Sequence, residues 1–320
     1  MISSLENSFL KSVKEAREIL KDHCLVTPLV HFPNEKISNI TVKAECLQPS
    51  GSFKIRGATY CLSKLSPEQL AKGVVAYSTG NHAQAVALAA KRFGAKATIV
   101  MSPDVKDFKI RSTKKLGADV IFAEPDQRIK TALDFAASTG AYFIPPFDHE
   151  DILIGQGTIG LEILDEMEPE FIFVPVGGGG LIAGIAMAVK KINPNIKIIG
   201  VEPELENDAW QSFKTGKKTG LKACSQTVAD AVRIPMLGDI TFPIISKYVD
   251  DIITVTELQI KEALLRAIES THLFLEPSGA ISIAGALAYA GSSVGKKPIV
   301  CIGSGGNTTI AQLCSLSKVN

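Results

Sequence analysis

Strand-like and helix-like segments alternate along most of the chain, and that alternation limits the possible folds more than any other feature of the sequence. TVKAE (41–45), GVVAY (73–77), KATIVM (96–101) and ADVIF (118–122) read as short strands. Helical stretches over 81–94, 105–116 and 127–138 follow the last three of these. The pattern resumes with a helix over 152–167, the strand FIFVPV (171–176), a helix over 181–191 and the strand KIIGVE (197–202). DIITV (251–255), a helix to Ser270, a helix over 277–290, PIVCIG (298–303) and a last helix complete it. FIFVPV is apolar without interruption, as expected of a strand covered on both faces. Strand–helix alternation of this kind predicts an α/β fold with parallel-rich sheets and helices on both faces. The opening segment reads as an amphipathic helix, with Leu5, Phe9, Val13, Ala16 and Leu20 on one stripe and Ser3 with Glu6 as a capping box. The stretch 204–250 is the least regular.

Composition narrows the partners. Thirty-four basic residues against thirty-three acidic ones leave a net charge of +1, with no excess to attract nucleic acid or an anionic membrane. A small molecule is the expected partner. No run of apolar residues is long enough to span a bilayer, and the N-terminus lacks the basic start and apolar run of a secretory signal. Cys24, Cys46, Cys61, Cys224, Cys301 and Cys314 form no C-x-x-C pair, which suits reduced thiols in a cytoplasmic protein.

Ligand sites in such sheets form beyond the carboxyl ends of the strands, and four loops there carry unusual residues. In QPSGSFKIRGA (48–58), Lys54 stands between a turn and the start of a helix. A lysine in an apolar pocket becomes a Schiff-base nucleophile, although a surface lysine fits the local sequence as well. STGNHAQA (78–85) opens an alanine-rich helix whose free amides suit a carboxylate; Ser78, Thr79 or Asn81 as a plain cap is the alternative. In PVGGGGLIAG (175–184), four successive glycines let backbone amides approach a phosphate. Gly178, Gly180 and Ala183 also match a dinucleotide fingerprint, with Glu202 about twenty residues on, which leaves a nicotinamide-dependent dehydrogenase open. GSGGNTT (303–309) offers Ser304 to a heteroaromatic nitrogen, or as a cap. No zinc spacing, Walker lysine or G-x-S-x-G elbow occurs. A lysine loop and two glycine loops together suit pyridoxal phosphate, giving partners to its carbonyl, phosphate and ring nitrogen.

SGSFKIRGA, STGNHAQA, VPVGGGGLIAG, GVEP, EPSGA and GSGGN, in that order, resemble the serine/threonine dehydratases and serine racemases, fold-type-II pyridoxal phosphate enzymes related to tryptophan synthase β. The resemblance covers nearly the whole chain. It implies a two-domain tryptophan synthase β-like fold, with residues 1–70 plus 149–320 forming a large cofactor-binding domain and 71–148 a small mobile one. It implies pyridoxal 5′-phosphate as cofactor, a homodimer, and β-elimination of water from L-serine or L-threonine to give a 2-oxo acid and ammonia.

Residue by residue, the resemblance makes Lys54 the cofactor-bearing catalytic lysine and Phe53 the aromatic packed against the cofactor ring. Asn81 would bond the ring's phenolic oxygen, Gly177, Gly178, Gly179 and Gly180 would hold the phosphate, and Ser304 would face the pyridine nitrogen. Glu276, in EPSGA, would lie near the cofactor. Ser78, Asn81 and His82 would grip the substrate carboxylate. Glu202 and Asp208, with the Glu206 carbonyl between them, match a Mg²⁺ or Ca²⁺ site of the racemase branch; an acidic surface turn is the other reading. Thr79 stands where racemases carry a serine that acts as acid/base opposite the lysine. The family's IADG reads VADA at 228–231, and Arg233 beside it either takes a second carboxylate, as in 3-hydroxyaspartate, or faces solvent. Serine racemase and 3-hydroxyaspartate dehydratase therefore stand beside the leading reading.

Overall fold

The computed structural model describes residues 2–35, 39–221, 226–289 and 298–317. In chain order the strands are β1 (Leu29–Phe32), β2 (Ile40–Lys43), β3 (Val74–Tyr77), β4 (Ala97–Met101), β5 (Asp119–Phe122), β6 (Tyr142–Phe143), β7 (Phe171–Pro175), β8 (Lys197–Pro203), β9 (Asp251–Val255) and β10 (Ile299–Ile302). The helices are α1 (Ile2–Leu20), α2 (Lys54–Ser63), α3 (Pro67–Lys72), α4 (Asn81–Arg92), α5 (Asp107–Lys115), α6 (Arg128–Thr139), α7 (Glu150–Glu166), α8 (Gly180–Lys190), α9 (Asp208–Thr215), α10 (Thr241–Tyr248), α11 (Glu257–Thr271), α12 (Pro277–Tyr289) and α13 (Ile310–Ser317).

The strands make two sheets. The larger runs β1-β2-β10-β7-β8-β9, and within it only β1 pairs antiparallel. The smaller, β5-β4-β3-β6, is all parallel and lies inside the segment 71–148. Apolar runs land where burial is complete: Ile172, Phe173 and Val174 of β7 are inaccessible to solvent. The alternation in the sequence thus gives the expected parallel-rich α/β architecture. Among the described residues, no helix is long and apolar enough to cross a membrane. Cys24, Cys46, Cys61, Cys301 and Cys314 are free thiols, and Cys224 lies outside the described residues.

Several details differ from the sequence reading, among them α3 and the two-residue β6, which it did not contain. A four-residue strand, β1, precedes β2. The irregular stretch 204–250 contains two helices, α9 and α10. Pro243 falls in the first turn of α10, where a missing N–H removes no helical bond. The Glu6 carboxylate bonds Lys247 and Tyr248 across to α10, and the Ser3 side chain lies outside the described residues.

Helix packing decides where the lysine loop sits. Gly57 of α2 meets Gly155 of α7 so closely that a Cβ built on Gly155 would stand 2.6 Å from the Gly57 Cα. A Cβ on Gly184 of α8 would stand 2.4 Å from the Leu153 carbonyl oxygen of α7. Side chains at these positions would push the helices apart. Further along α2, Ile55, Ala58, Cys61 and Leu62 pack into the core beneath the smaller sheet, whereas Tyr60 joins the core of the larger one. The helix that begins with Lys54 is therefore wedged between the two sheets.

Candidate active site

The loops after β2, β3, β7 and β10 converge on a cavity of about 490 Å³ at the carboxyl ends of their strands. Lys54, Asn81, Gly178, Asp230, Glu276 and Ser304 are among its lining.

Lys54 is the first residue of α2. Its Nζ donates to the Pro146 carbonyl at 2.6 Å. Withdrawal from water lowers its pKa to about 8, because no anion compensates the ammonium. The Phe53 ring centroid lies 5.2 Å from Nζ. The loop is pinned to the β10 loop: the Phe53 amide donates to the Ser304 carbonyl at 3.1 Å, and Ser52 bridges Gly305.

The four-glycine loop joins β7 to α8. Gly179 has φ +89°, a left-handed conformation that glycine adopts without strain. A Cβ on Gly178 would come within 2.4 Å of the Phe147 ring. Asp148, next to Phe147, accepts from the amides of Asp239, Ile240 and Thr241, and the Thr241 hydroxyl donates to the Gly178 carbonyl at 2.8 Å. The loop is thus clamped from outside. Among the described residues the amides of Gly177, Gly178 and Gly179 donate to no other backbone carbonyl. They sit at the N-terminus of α8, where the helix dipole favours an anion.

Asn81 and His82 open α4 after β3. The Asn81 amide donates to Glu276 Oε1 at 2.5 Å and accepts from Asn307 Nδ2 at 2.7 Å. Asn307 also donates to the Ser50 carbonyl at 2.9 Å, so it fixes which way the Asn81 amide is turned. Burial, and then the charge of Asp230, push the Glu276 carboxyl up to about 7, against the Asn81 hydrogen bond. His82 Nε2 lies 3.0 Å from the Ile144 carbonyl, which can only accept, so Nε2 carries the proton. Burial and the nearby Lys54 lower its pKa to about 3, which keeps the ring neutral. The Ser78 hydroxyl accepts from the Gly80 amide at 3.2 Å and tightens the loop, and Thr79 lines the cavity beside it. Ser304 Oγ is 3.3 Å from the Ser278 carbonyl. Gly305 leaves no room for a side chain, since a Cβ there would lie 2.5 Å from Glu276 Oε1.

All the residues expected around a cofactor therefore surround one cavity. Asn307, Asp230 and Lys109 were not anticipated. Asn307 stands in GSGGN, where an asparagine closing a glycine turn was the available signal. Lys109 and Asp230 form an ion pair of 2.7 Å between α5 and the 228–231 loop, which no local pattern announces. Arg233 is exposed, and its Nε donates to the Thr227 carbonyl at 3.1 Å.

Glu202, Glu206 and Asp208 lie elsewhere, at the end of β8 and the start of α9, and all three are buried. Glu202 accepts from the amides of Ala209 and Trp210 at 3.2 and 2.7 Å. No side chain donates to either oxygen of Asp208; burial pushes its pKa up to about 7, against the backbone amides of Asp208 and Leu237. Glu202 is raised by burial and by Asp208. This use of Glu202 removes it from the ribose-binding role that a dinucleotide fingerprint requires.

The residues present fit pyridoxal phosphate on structural grounds: a desolvated amine, a backbone cradle for a phosphate that side chains would fill, and a buried serine hydroxyl in one cavity. Comparison with known proteins agrees. Residues 20–305 match the family described as pyridoxal-phosphate dependent enzyme. The chain is 39% identical over 312 residues to L-threo-3-hydroxyaspartate ammonia-lyase of Saccharomyces cerevisiae, covering 95% of this chain and 94% of that protein. It is 40% identical over 309 residues to L-threonine ammonia-lyase of Thermotoga maritima, covering 94% of this chain and 76% of that one. The structure of maize serine racemase superposes with a TM-score of 0.91 at 37% identity, covering 96% of this chain and 95% of that chain. With nearly its whole length matched, this chain belongs to the pyridoxal-phosphate dependent enzyme family.

Proposed function

We propose that the protein is a lyase that removes water from an L-β-hydroxy amino acid, L-serine or L-threonine, and yields a 2-oxo acid and ammonia. The observation that carries this reading is the Lys54 amine, desolvated and hydrogen-bonded to a carbonyl, in a cavity that also presents the glycine amides and Ser304.

Pyridoxal phosphate, when bound, supplies an electron sink for the pair left on Cα when its proton departs. The chain's residues do the rest. Desolvation lowers the Lys54 pKa to about 8, toward the range in which a neutral amine can take that proton. The Gly177–Gly180 amides would hold the phosphate. Phe53 would pack on the ring, Asn81 would bond its phenolic oxygen and Ser304 would face its nitrogen, all from positions lining the cavity, with Glu276 hydrogen-bonded to Asn81. The Ser304 hydroxyl has one proton, so it must leave the Ser278 carbonyl to donate to that nitrogen. Ser78, Asn81 and His82 shape the loop for the substrate carboxylate.

Segment 71–148 would act as a small mobile domain, its sheet closing over the site to exclude water. This reading also carries a cytoplasmic homodimer, to be tested by light scattering and cell fractionation.

A divalent cation, Mg²⁺ or Ca²⁺, fits Glu202 and Asp208 with the Glu206 carbonyl, because both carboxylates are buried with no cationic side chain to balance them. It would stabilise the fold at β8 and α9 and take no part in the chemistry.

The test is a panel of L-serine, D-serine, L-threonine and 3-hydroxyaspartate, scored for 2-oxo acid and for chirality. Release of 2-oxo acid from L-serine or L-threonine, abolished in Lys54→Ala, is the expected result. Inversion of L-serine outpacing elimination would favour the racemase reading, with Thr79 as the proton donor opposite Lys54. Its β-branched side chain has few rotamers, so Thr79→Ser should raise D-serine relative to pyruvate.

A further inference from the structure

Cys61, His149 and Asp151 come together outside the Lys54 cavity, and none of them lines it. One ligand atom from each, the thiol sulfur, a ring nitrogen and a carboxylate oxygen, lies within 4.8 Å of the other two. Cys61 is on α2, two turns beyond Lys54, and is inaccessible to solvent. His149 is the N-cap of α7 and Asp151 is in its first turn. His149 Nδ1 accepts from the Asp151 amide at 3.2 Å and lies 3.8 Å from Asp151 Oδ2. Nδ1 is therefore the unprotonated nitrogen, its lone pair engaged by the Asp151 amide, from which a cation would have to take it. The two α7 side chains are 31% and 24% exposed, so a cation can reach two of the three groups from solvent.

We propose that Cys61, His149 and Asp151 form a binding site for a borderline-soft transition-metal cation, with Zn²⁺ the best match. Sulfur, imidazole and carboxylate are zinc's usual ligands, and three of them leave a fourth position for water. Mg²⁺ and Ca²⁺ need oxygen ligands and have little affinity for sulfur. Closing from the present spacing to bonding distance needs movements of about 1 Å at side chains on a helix terminus. Binding replaces the S–H bond of Cys61 with an S–Zn bond and releases the thiol proton to solvent. It also takes the Nδ1 lone pair from the Asp151 amide, so one N-cap bond is exchanged for three ligand bonds. Occupancy would tie the last turn of α2 to the start of α7, a few residues after Pro146, whose carbonyl holds Lys54. The zinc would thus join the two segments that position the lysine without touching it.

The test uses the holoenzyme in excess Mg²⁺, so that any oxygen-ligand site is already filled. Zn²⁺ is titrated calorimetrically, bound metal is counted after dialysis, and thermal unfolding is followed with and without Zn²⁺. One zinc per chain is expected, with a rise in Tm. Cys61→Ala and His149→Gln should each weaken binding at least about tenfold and lose the rise in Tm. Cys314→Ser, at the exposed thiol, should bind as the parent does. Failure of the parent to bind stoichiometric zinc, or parental affinity in either Cys61→Ala or His149→Gln, would overturn the proposal. His149 is part-exposed, so His149→Gln keeps the test open should Cys61→Ala disturb the core.

Discussion

Arg56 and Asp208 are both almost wholly withdrawn from water, yet their surroundings are charged in different ways. Arg56, two residues past Lys54, donates to Glu45 at 2.7 and 2.8 Å and to Glu162 at 2.5 and 2.8 Å. Lys43 meets Glu162 at 2.7 Å and the Thr27 carbonyl at 2.5 Å. Two cations face two anions. Burial alone would raise the Glu45 pKa, but the Arg56 guanidinium outweighs it and holds the carboxylate below its ordinary value. At the end of β8 the balance is absent. No cationic side chain lowers the pKa of Glu202 or Asp208, and both are pushed upward. The matched cluster holds α2 against β2 and α7 and so fixes where Lys54 begins. The unmatched one leaves negative charge that only protons or a cation can relieve.

The strongest way to break this contrast is Arg56→Met. It leaves Glu45 and Glu162 buried with Lys43 alone, and removing one partner from a buried ionic network costs about 3–5 kcal/mol. Urea unfolding should show a loss of that size, together with weaker cofactor binding. A loss below about 1 kcal/mol would mean that the carboxylates do not depend on Arg56.

Asp208→Asn should act in the other direction. In chelator at pH 8 it removes an uncompensated buried charge, so stability should hold or rise by about 1 kcal/mol. Saturating Mg²⁺ should stabilise the parent by about 2.7 kcal/mol at a hundredfold excess over Kd and leave the variant nearly unchanged. Melting curves with and without chelator decide it. Equal responses in both proteins would end the cation reading.

The contrast also shows what a sequence reveals. Buried strands announced themselves because β7 is apolar on both faces, and the glycine loops did so because their residues are adjacent in the chain. β1 did not: LVHF has four residues and includes a half-exposed edge. β6 has only two residues, too few for any periodicity. The Arg56 cluster draws on residues 43, 45, 56 and 162, and the Cys61 cluster on two distant helices. Neither has a spacing, because the fold alone brings its members together. That Lys54, Ser304 and the glycines would meet in one place was legible as a motif set, and they line one cavity. The hold of Asn307 on Asn81 was not, since hydrogen-bond direction is a property of the folded site.

The smallest and sharpest test concerns Glu276, whose surroundings fall between the two extremes. Burial and Asp230 raise its pKa to about 7, while Asn81 and Lys109 pull it down. A carboxyl whose folded pKa is raised binds a proton on folding, so its contribution is fullest below the unfolded value and is lost as pH rises. With an ordinary value of 4.5, the loss runs from about pH 4.5 to 7 and is on the order of 3 kcal/mol. Asp230→Asn removes the anion, so the loss should shrink and level off at lower pH. Lys109→Met removes the cation and should extend the loss to higher pH. Each shift should be within about 1 kcal/mol. Urea midpoints of the cofactor-free parent and both variants, taken from pH 4.5 to 8.5, measure it, and subtracting the parent curve cancels the other carboxyls. Opposite displacements are required. Displacement in the same direction would show that the two variants act through the broken Lys109–Asp230 pair, and that Glu276 does not sense their charges.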